Sequence, residues 1–339
     1  MKQKTLHIQF ICGFILSIFV SSCGGAERNY YDSKIVEKPI SIHRFDLDLI
    51  HLDTTNIEES LDELYKKYPD FMPVFLENIL GIPAYDTAYI AANLPLFLND
   101  TLFSKVNREV VNTFSDINQI EYELGNAWQR LLHFYPKTEQ PEFYFFVSGF
   151  ANGFTMHNNI IAVGSDLYLG SDYPYYNQVV YQYMKYGMRP ECIPIDLISA
   201  HLFKNFRINS KRLRLLDDMI YRGKLIYFLS VLFPDTDANE IIGYTKEQWD
   251  WCKKYEREIW NTLLDSKHIF STDQRIIASY MNDAPFTAEI SNESPGRLGT
   301  WIGMQIAKNY MNNNRNVSMQ TLLENTDAQS ILENSKYRP

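Results

Sequence analysis

Residues 143–148 read FYFFVS and residues 158–174 read NNIIAVGSDLYLGSDYP, and together these two runs decide the fold. The first is aromatic and apolar at consecutive positions over a short length, which suits a buried strand better than a helix. The stretch GFANGF at 149–154 then turns the chain, and a second short apolar run at 160–163 follows before Gly164 and Gly170. Glycine reaches backbone angles that other residues resist, so the pattern predicts strand, turn, strand. Three helical patterns come next, over 175–186, 194–208 and 211–233. The last is apolar on nearly every face, which marks it as a core helix.

Upstream, PISIHRFDLDLI at 39–50 spaces Ile40, Ile42, Phe45, Leu47 and Leu49 near a period of two, predicting a half-buried strand that opens the domain. From Thr54 the pattern turns helical, with acidic residues in the first turn and lysines in the last, as the helix dipole favours. A short helix ending near Gly81 and a helix pair over 98–114 and 120–134 follow. Downstream, Thr245 to Gln248 and Ser271 to Gln274 have capping-box form, and Ser294-Pro295 fits a cap and first turn. Gly299 and Gly303, one turn apart, predict a neighbouring helix packed closely on them. A last helix is expected over 319–336. No fixed-period repeat and no linker-like stretch divides the chain, so the expected architecture is a single α+β domain over 39–339, mainly α-helical with a small β-sheet.

The N-terminus is of a different kind. Residues 1–22 carry Lys2 and Lys4, then an apolar segment over 8–20, then Val20-Ser21-Ser22 directly before Cys23. That segment falls short of the roughly 20 residues a spanning helix needs, and small residues before a cysteine form a lipobox. Residues 1–22 are therefore read as a lipoprotein signal peptide, Cys23 as the lipid-attachment site, and 23–38 as a lipidated N-terminus and tether. Of the four cysteines, processing would leave Cys192 and Cys252 in the folded part, where one bridge is possible. Removing Lys2 and Lys4 takes the formal charge from −9 to −11. An acidic balance of that size argues against nucleic acid and against a polybasic grip on lipid, leaving the lipid as the membrane contact.

Chemistry is sparse. Zinc hydrolysis uses two histidines one helical turn apart and a carboxylate beside the first to activate water. At 201–205 the chain reads HLFKN. His201 is the candidate metal ligand, Leu202 stands where the base belongs, Asn205 replaces the second ligand, and Lys204 adds positive charge. Asp217 and Asp218 could offer an acidic ligand from the next helix, beside Arg222 of the wrong sign. No nucleophile elbow, P-loop or dinucleotide fingerprint is present, and Cys192 has no histidine fixed beside it by sequence. Asp166, Asp172 and Asp196 lack a calcium-loop period and read as turn and cap residues. Tyrosine crowds one region, and Tyr168, Tyr173, Tyr175 and Tyr176 form a candidate contact surface. No cofactor is expected.

Three features carry a resemblance: the lipobox at Cys23; VGSDLYLGSDYPYY at 163–176 followed by the IPIDLISAHLFKNF helix; and SPGRLGTWIGMQIAKNYM at 294–311 after MIYRGKLIYFL. In their order and spacing the chain resembles the gliding-motility lipoprotein GldB family of Bacteroidetes. The resemblance implies an envelope lipoprotein of gliding motility and its associated secretion apparatus, lipid-anchored, in the outer membrane and facing the periplasm. It implies contacts with other envelope proteins and no stated reaction. The family is also distantly similar to HExxH zinc proteases, which implies a zincin-like scaffold with a degenerate motif. There His201 matches the first ligand, Leu202 the base, Asn205 the second ligand and Arg222 a downstream glutamate. The expected function is contact with envelope proteins without catalysis. The alternatives are a degenerate or remodelled zinc metallopeptidase and a periplasmic ligand-binding module, the last needing a tyrosine-lined pocket beside 164–186.

Overall fold

The computed structural model describes residues 30–31, 37–208 and 213–339. Cys23, the signal peptide and most of the expected tether lie outside them. No described helix is long and apolar enough to cross a membrane.

A first group of helices, α1 (Ile57–Lys67), α2 (Thr87–Leu98), α3 (Thr101–Thr113) and α4 (Asn118–Phe134), precedes most of the sheet. The strands β1 (Ile42–His43), β2 (Glu142–Phe146), β3 (Phe154–His157) and β4 (Ile160–Gly164) form one sheet in the order β1-β2-β4-β3. Pairing is parallel from β1 through β2 to β4, and β3 returns antiparallel on β4. Every residue of β4 and all but Glu142 of β2 are buried. Strands covered on both faces need no polar alternation, which is why both runs read as continuously apolar.

Beyond the sheet come α5 (Ile193–Asn205) and α6 (Leu215–Leu232). The shorter α7 (Lys246–Lys254), α8 (Glu256–Asp265) and α9 (Gln274–Met281) follow, then α10 (Leu298–Asn313), α11 (Met319–Glu324) and α12 (Ala328–Ser335). The chain is thus mainly helical with one small mixed sheet, as expected. Helix α6 is buried on nearly all sides, and its principal neighbour is α10. The two backbones meet at glycine. A Cβ on Gly303 would stand 1.8 Å from the Met219 carbonyl oxygen, and one on Gly223 would stand 2.0 Å from the Gly303 carbonyl carbon.

Several boundaries differ from expectation, each for a local reason. Residues 39–50 give strand only at Ile42–His43; Phe45–Ile50 is helical, with Phe45 and Leu49 buried four residues apart. Buried Asp46, paired to Arg44 at 2.9 Å and bonded by Ser165 Oγ at 3.3 Å, anchors that turn. Helix α2 carries no amphipathic stripe and has Pro95 inside, so nothing in its periodicity announced it. The span 98–114 is broken at Asp100, whose carboxylate accepts from the N–H groups of Leu102 and Phe103 at 2.9 Å. The pattern over 175–186 divides into two short pieces, Tyr176–Val179 and Gln182–Gly187, around extended Val180. The reciprocal box at Thr245 and Gln248 forms, but α9 is capped by Asp273 rather than Ser271. Ser294 closes a loop onto Thr287 instead of capping α10, which begins after Arg297. The last helix is two, α11 and α12, the second capped by Asp327.

Gly303→Ala is expected to lower stability by about 3 kcal/mol, the upper range for overpacking a closed contact, whereas Gly187→Ala, with no atom near its would-be Cβ, changes it by less than about 0.5 kcal/mol. Urea unfolding of the two variants checks the difference; equal midpoints would show that α6 and α10 can separate without cost.

Candidate functional site

Helix α5 stands between two hollows. Asp196, Ser199, Ala200 and Phe203, spaced three and four apart, line a cleft of about 610 Å³. Its other walls are Gly153 and Phe154 at the start of β3, Tyr168, Tyr183 and Met184 from the following loops, Arg222 and Ile226 from α6, and Arg297. On the adjoining face, His201, Lys204 and Asn205 line a hollow of about 570 Å³ with Leu131, Tyr135 and Glu139.

The cleft holds the more elaborate polar arrangement. Asp196 Oδ2 accepts the Tyr168 hydroxyl at 2.8 Å. Burial lifts the Asp196 carboxyl to about 6, against the pull of the Tyr168 bond and the Arg297 charge. Arg222 pairs with Asp218 at 3.0 Å and donates to the Met281 carbonyl at 3.1 Å. Arg297 pairs with Asp283 at 3.0 Å and donates to the Ile242 carbonyl at 2.8 Å. Arg189 pairs with Glu240, which also takes the Tyr186 hydroxyl. Cys192 lies in the cleft wall, where burial, with Asp196 adding to it, pushes its thiol up to about 11. A thiol held protonated at neutral pH is a poor nucleophile.

His201 is buried and meets the Trp128 ring edge-on with centroids 4.9 Å apart. Asn205 Nδ2 donates to the His201 carbonyl at 2.8 Å and reaches to 3.3 Å of its Nε2. The Lys204 ammonium is turned to the Asn158 carbonyl. Burial, reinforced by Lys204, pushes the imidazole down to about 4, so it is neutral at pH 7. The four positions compared with a zinc site do not converge: His201 and Asn205 border one hollow and Arg222 the other. Asp217 is occupied by Arg214 and Asp218 by Arg222. Among the described residues, no three His, Cys, Asp or Glu side chains gather as a metal would require. Asp166 accepts through Oδ2 from the N–H groups of Phe150 at 2.7 Å and Ser148 at 3.1 Å, while its buried Oδ1 has no hydrogen-bond partner among the described residues. Cys192 and Cys252 are separate free thiols, both buried.

Of the tyrosines singled out by sequence, Tyr168 and Tyr176 are buried and Tyr173 and Tyr175 half-buried. Tyr176 donates to the Asp166 carbonyl at 2.8 Å and accepts from the Leu169 N–H at 2.9 Å, so it knits the loop internally. The exposed apolar surface of this region belongs to Val179, Tyr181 and Met184, with Tyr181 stacked on Tyr183 at 5.6 Å. Asp196, Arg297 and Glu240 were missed as a group because they come from separate elements. The signal available was the spacing of Asp196, Ser199, Ala200 and Phe203 on one face of α5.

The depressed His201 value gives a sign for acid stability. The unfolded chain binds the proton near pH 6.5 and the folded chain only near 4, so the stability this residue contributes is complete above 6.5 and is lost as pH falls toward 4. Asp166 and Asp196, both raised to about 6, act oppositely in that window, gaining stability as pH falls. The difference between wild type and His201→Phe in urea midpoints from pH 7 to 4 isolates the histidine: wild type should lose more. Parallel curves would mean that the imidazole titrates as in water.

No curated protein and no solved structure matches the chain. A family model described as gliding motility protein GldB matches residues 27–339, which takes in every described residue, from the small sheet and cleft to the α6–α10 glycine contact. The chain belongs to that GldB family.

Proposed function

We propose that this gliding-motility family member is an envelope lipoprotein, attached through Cys23 to the outer membrane on its periplasmic side, and that it works without catalysis by binding a segment of another envelope protein. The observation that carries this reading is the cleft of about 610 Å³ beside β3, concave and bordered by the tyrosine-rich loops. Its arginines are each held by a carboxylate, its thiol is protonated and its neighbouring histidine is neutral and enclosed, so the wall offers recognition groups in place of a poised nucleophile. A partner would insert a length of chain instead of pressing on a flat patch. The same concavity, with Tyr168 and Tyr183 in its lining, favours a second reading as a periplasmic ligand-binding module.

Met184 is exposed at the cleft and Phe270 is exposed away from its lining. A photo-crosslinking amino acid at Met184 of the full chain, activated in cells, is expected to give discrete protein adducts that are absent with the same group at Phe270. Identical diffuse labelling at both sites would sink the partner reading and leave the small-ligand one. Near-stoichiometric zinc in protein purified without chelator, lost in His201→Ala, would overturn the non-catalytic part.

A further inference from the structure

The outer edge of β3 pairs with no strand among the described residues. The Gly164 N–H donates to the Gly153 carbonyl at 3.0 Å, and β3 runs antiparallel to β4 with Thr155 opposite Ala162. Bonded and non-bonded pairs alternate in such a ladder, so the peptide groups of Phe154 and Met156 face outward. Phe154, the first residue of β3, also lines the cleft, so the strand with the free edge starts at the cleft wall.

The cleft floor has one unbalanced charge. Its lining and the residues just behind it hold the carboxylates of Asp196, Asp218, Glu240 and Asp283 against the guanidiniums of Arg189, Arg222 and Arg297. Each arginine is paired to one carboxylate, Arg189 to Glu240, Arg222 to Asp218 and Arg297 to Asp283. Asp196 is left with the Tyr168 hydroxyl alone, Arg297 acting on it without a bond. The rings of Tyr168, Tyr183, Phe154 and Phe203 line the same cleft. A half-buried carboxylate in a cleft that also carries aromatic rings suits a cation on an apolar stem, the form of a lysine or arginine side chain.

We propose that the cleft takes an extended peptide segment of a partner protein, which adds as a strand to the outer edge of β3 and sets one basic side chain against Asp196. This rests on the partner-binding reading above and names its chemistry. Backbone pairing at Phe154 and Met156 holds the segment whatever its sequence, and Asp196 with the aromatic rings of the same cleft supplies the selectivity, the division of labour typical of strand addition. A neutral side chain at that position would leave the carboxylate desolvated with only the Tyr168 hydroxyl and no countercharge bonded to it, which is what makes the site discriminating.

The test is selection of a displayed random decapeptide library on the full chain held in detergent micelles. Enriched sequences are expected to share one lysine or arginine flanked by β-branched or aromatic residues. Synthetic peptides with capped termini then separate the sources of charge, since lysine, arginine and a free amino terminus can each be offered alone. Replacing the basic residue by glutamine is expected to weaken binding by about tenfold, the scale of one charge-assisted bond. This measurement needs no protein variant. In the protein, Asp196→Asn should remove the preference for the basic residue, and Met156→Pro should weaken all peptides alike, because it deletes only an outward-facing N–H. Thermal unfolding confirms that both variants fold. Enrichment without a basic residue, or a preference that survives Asp196→Asn, overturns the proposal while discrete cross-links at Met184 would leave partner binding standing. No enrichment together with no discrete cross-link overturns both.

Discussion

Everything C-terminal of the sheet depends on the close approach of α6 and α10 at Gly223 and Gly303. A side chain at either position would drive its Cβ into the backbone of the opposite helix, within about 2 Å of a carbonyl carbon or oxygen. No rotamer change can relieve that, because the obstacle is main chain. The contact also orients the residues on either side of it. Arg222, one position before Gly223, reaches the cleft and binds Asp218 and the Met281 carbonyl. Lys224, one position after, is buried and donates to the carbonyls of Leu323 at 2.6 Å and Asn325 at 2.7 Å, closing the C-terminal end of α11. Burial pulls the Lys224 ammonium down to about 8, while carbonyl oxygens at a helix C-terminus favour its charged form. Three consecutive residues thus set a cleft wall, a helix crossing and the seat of the last helices.

The parts of the fold legible in sequence are those governed by local rules. Continuous apolar runs at 143–148 and 160–163 gave two strands, since burial on both faces leaves no other composition. The reciprocal box at Thr245 and Gln248 forms because both partners lie within one turn. Gly299 and Gly303 announced close packing; Gly303 meets α6, while Gly299 meets Met281 and Tyr280 of α9 first and Met219 of α6 next. Where the reading erred, a residue served two periods or a contact came from far away. Phe45 and Leu49 fit a strand by alternation and a helix by their spacing of four; Asp46, whose partner Ser165 lies on the other side of the sheet in sequence, decides for the helix. Helix α2 hid because a segment apolar all round has no periodicity to detect.

The candidate site shows the same division. His201 attracted notice because histidine is the residue most associated with metal chemistry, yet its face of α5 turns to the Trp128 ring and to Asn205, whose amide nitrogen donates to the His201 carbonyl. The chemically distinctive residue of that helix is Asp196, five positions earlier. Sequence could place Asp196, Ser199 and Phe203 on one face, but it could not show that, among the described residues, Tyr168 from the loop after β4 would be the side chain bonded to that carboxylate. Nor could it show three arginines from three segments each meeting a separate acid. The unpaired charge is a property of the assembled wall, and it emerges only when all seven charged groups are counted together.

The proposed anchor places that wall near a membrane. Tyr30 and Tyr31 fall inside the expected tether, but they rest on the domain: the Tyr31 hydroxyl donates to the Val231 carbonyl at 2.7 Å, and both rings meet Phe134 edge-on. With Cys23 as the attachment point, seven residue steps separate it from Tyr30, a reach of at most about 25 Å at extended-chain spacing. That is half what the whole segment 23–38 would allow. Val231 lies nine residues beyond Arg222 on α6, so the cleft wall stands about 14 Å along the helix from the docked tyrosines. Under the proposed anchor, a cleft held within reach of a bilayer would meet segments of other membrane-bound proteins far more often than freely diffusing ones. In that proposed arrangement a modest affinity for a single basic strand would suffice, because attachment to a common surface raises the effective concentration of both partners.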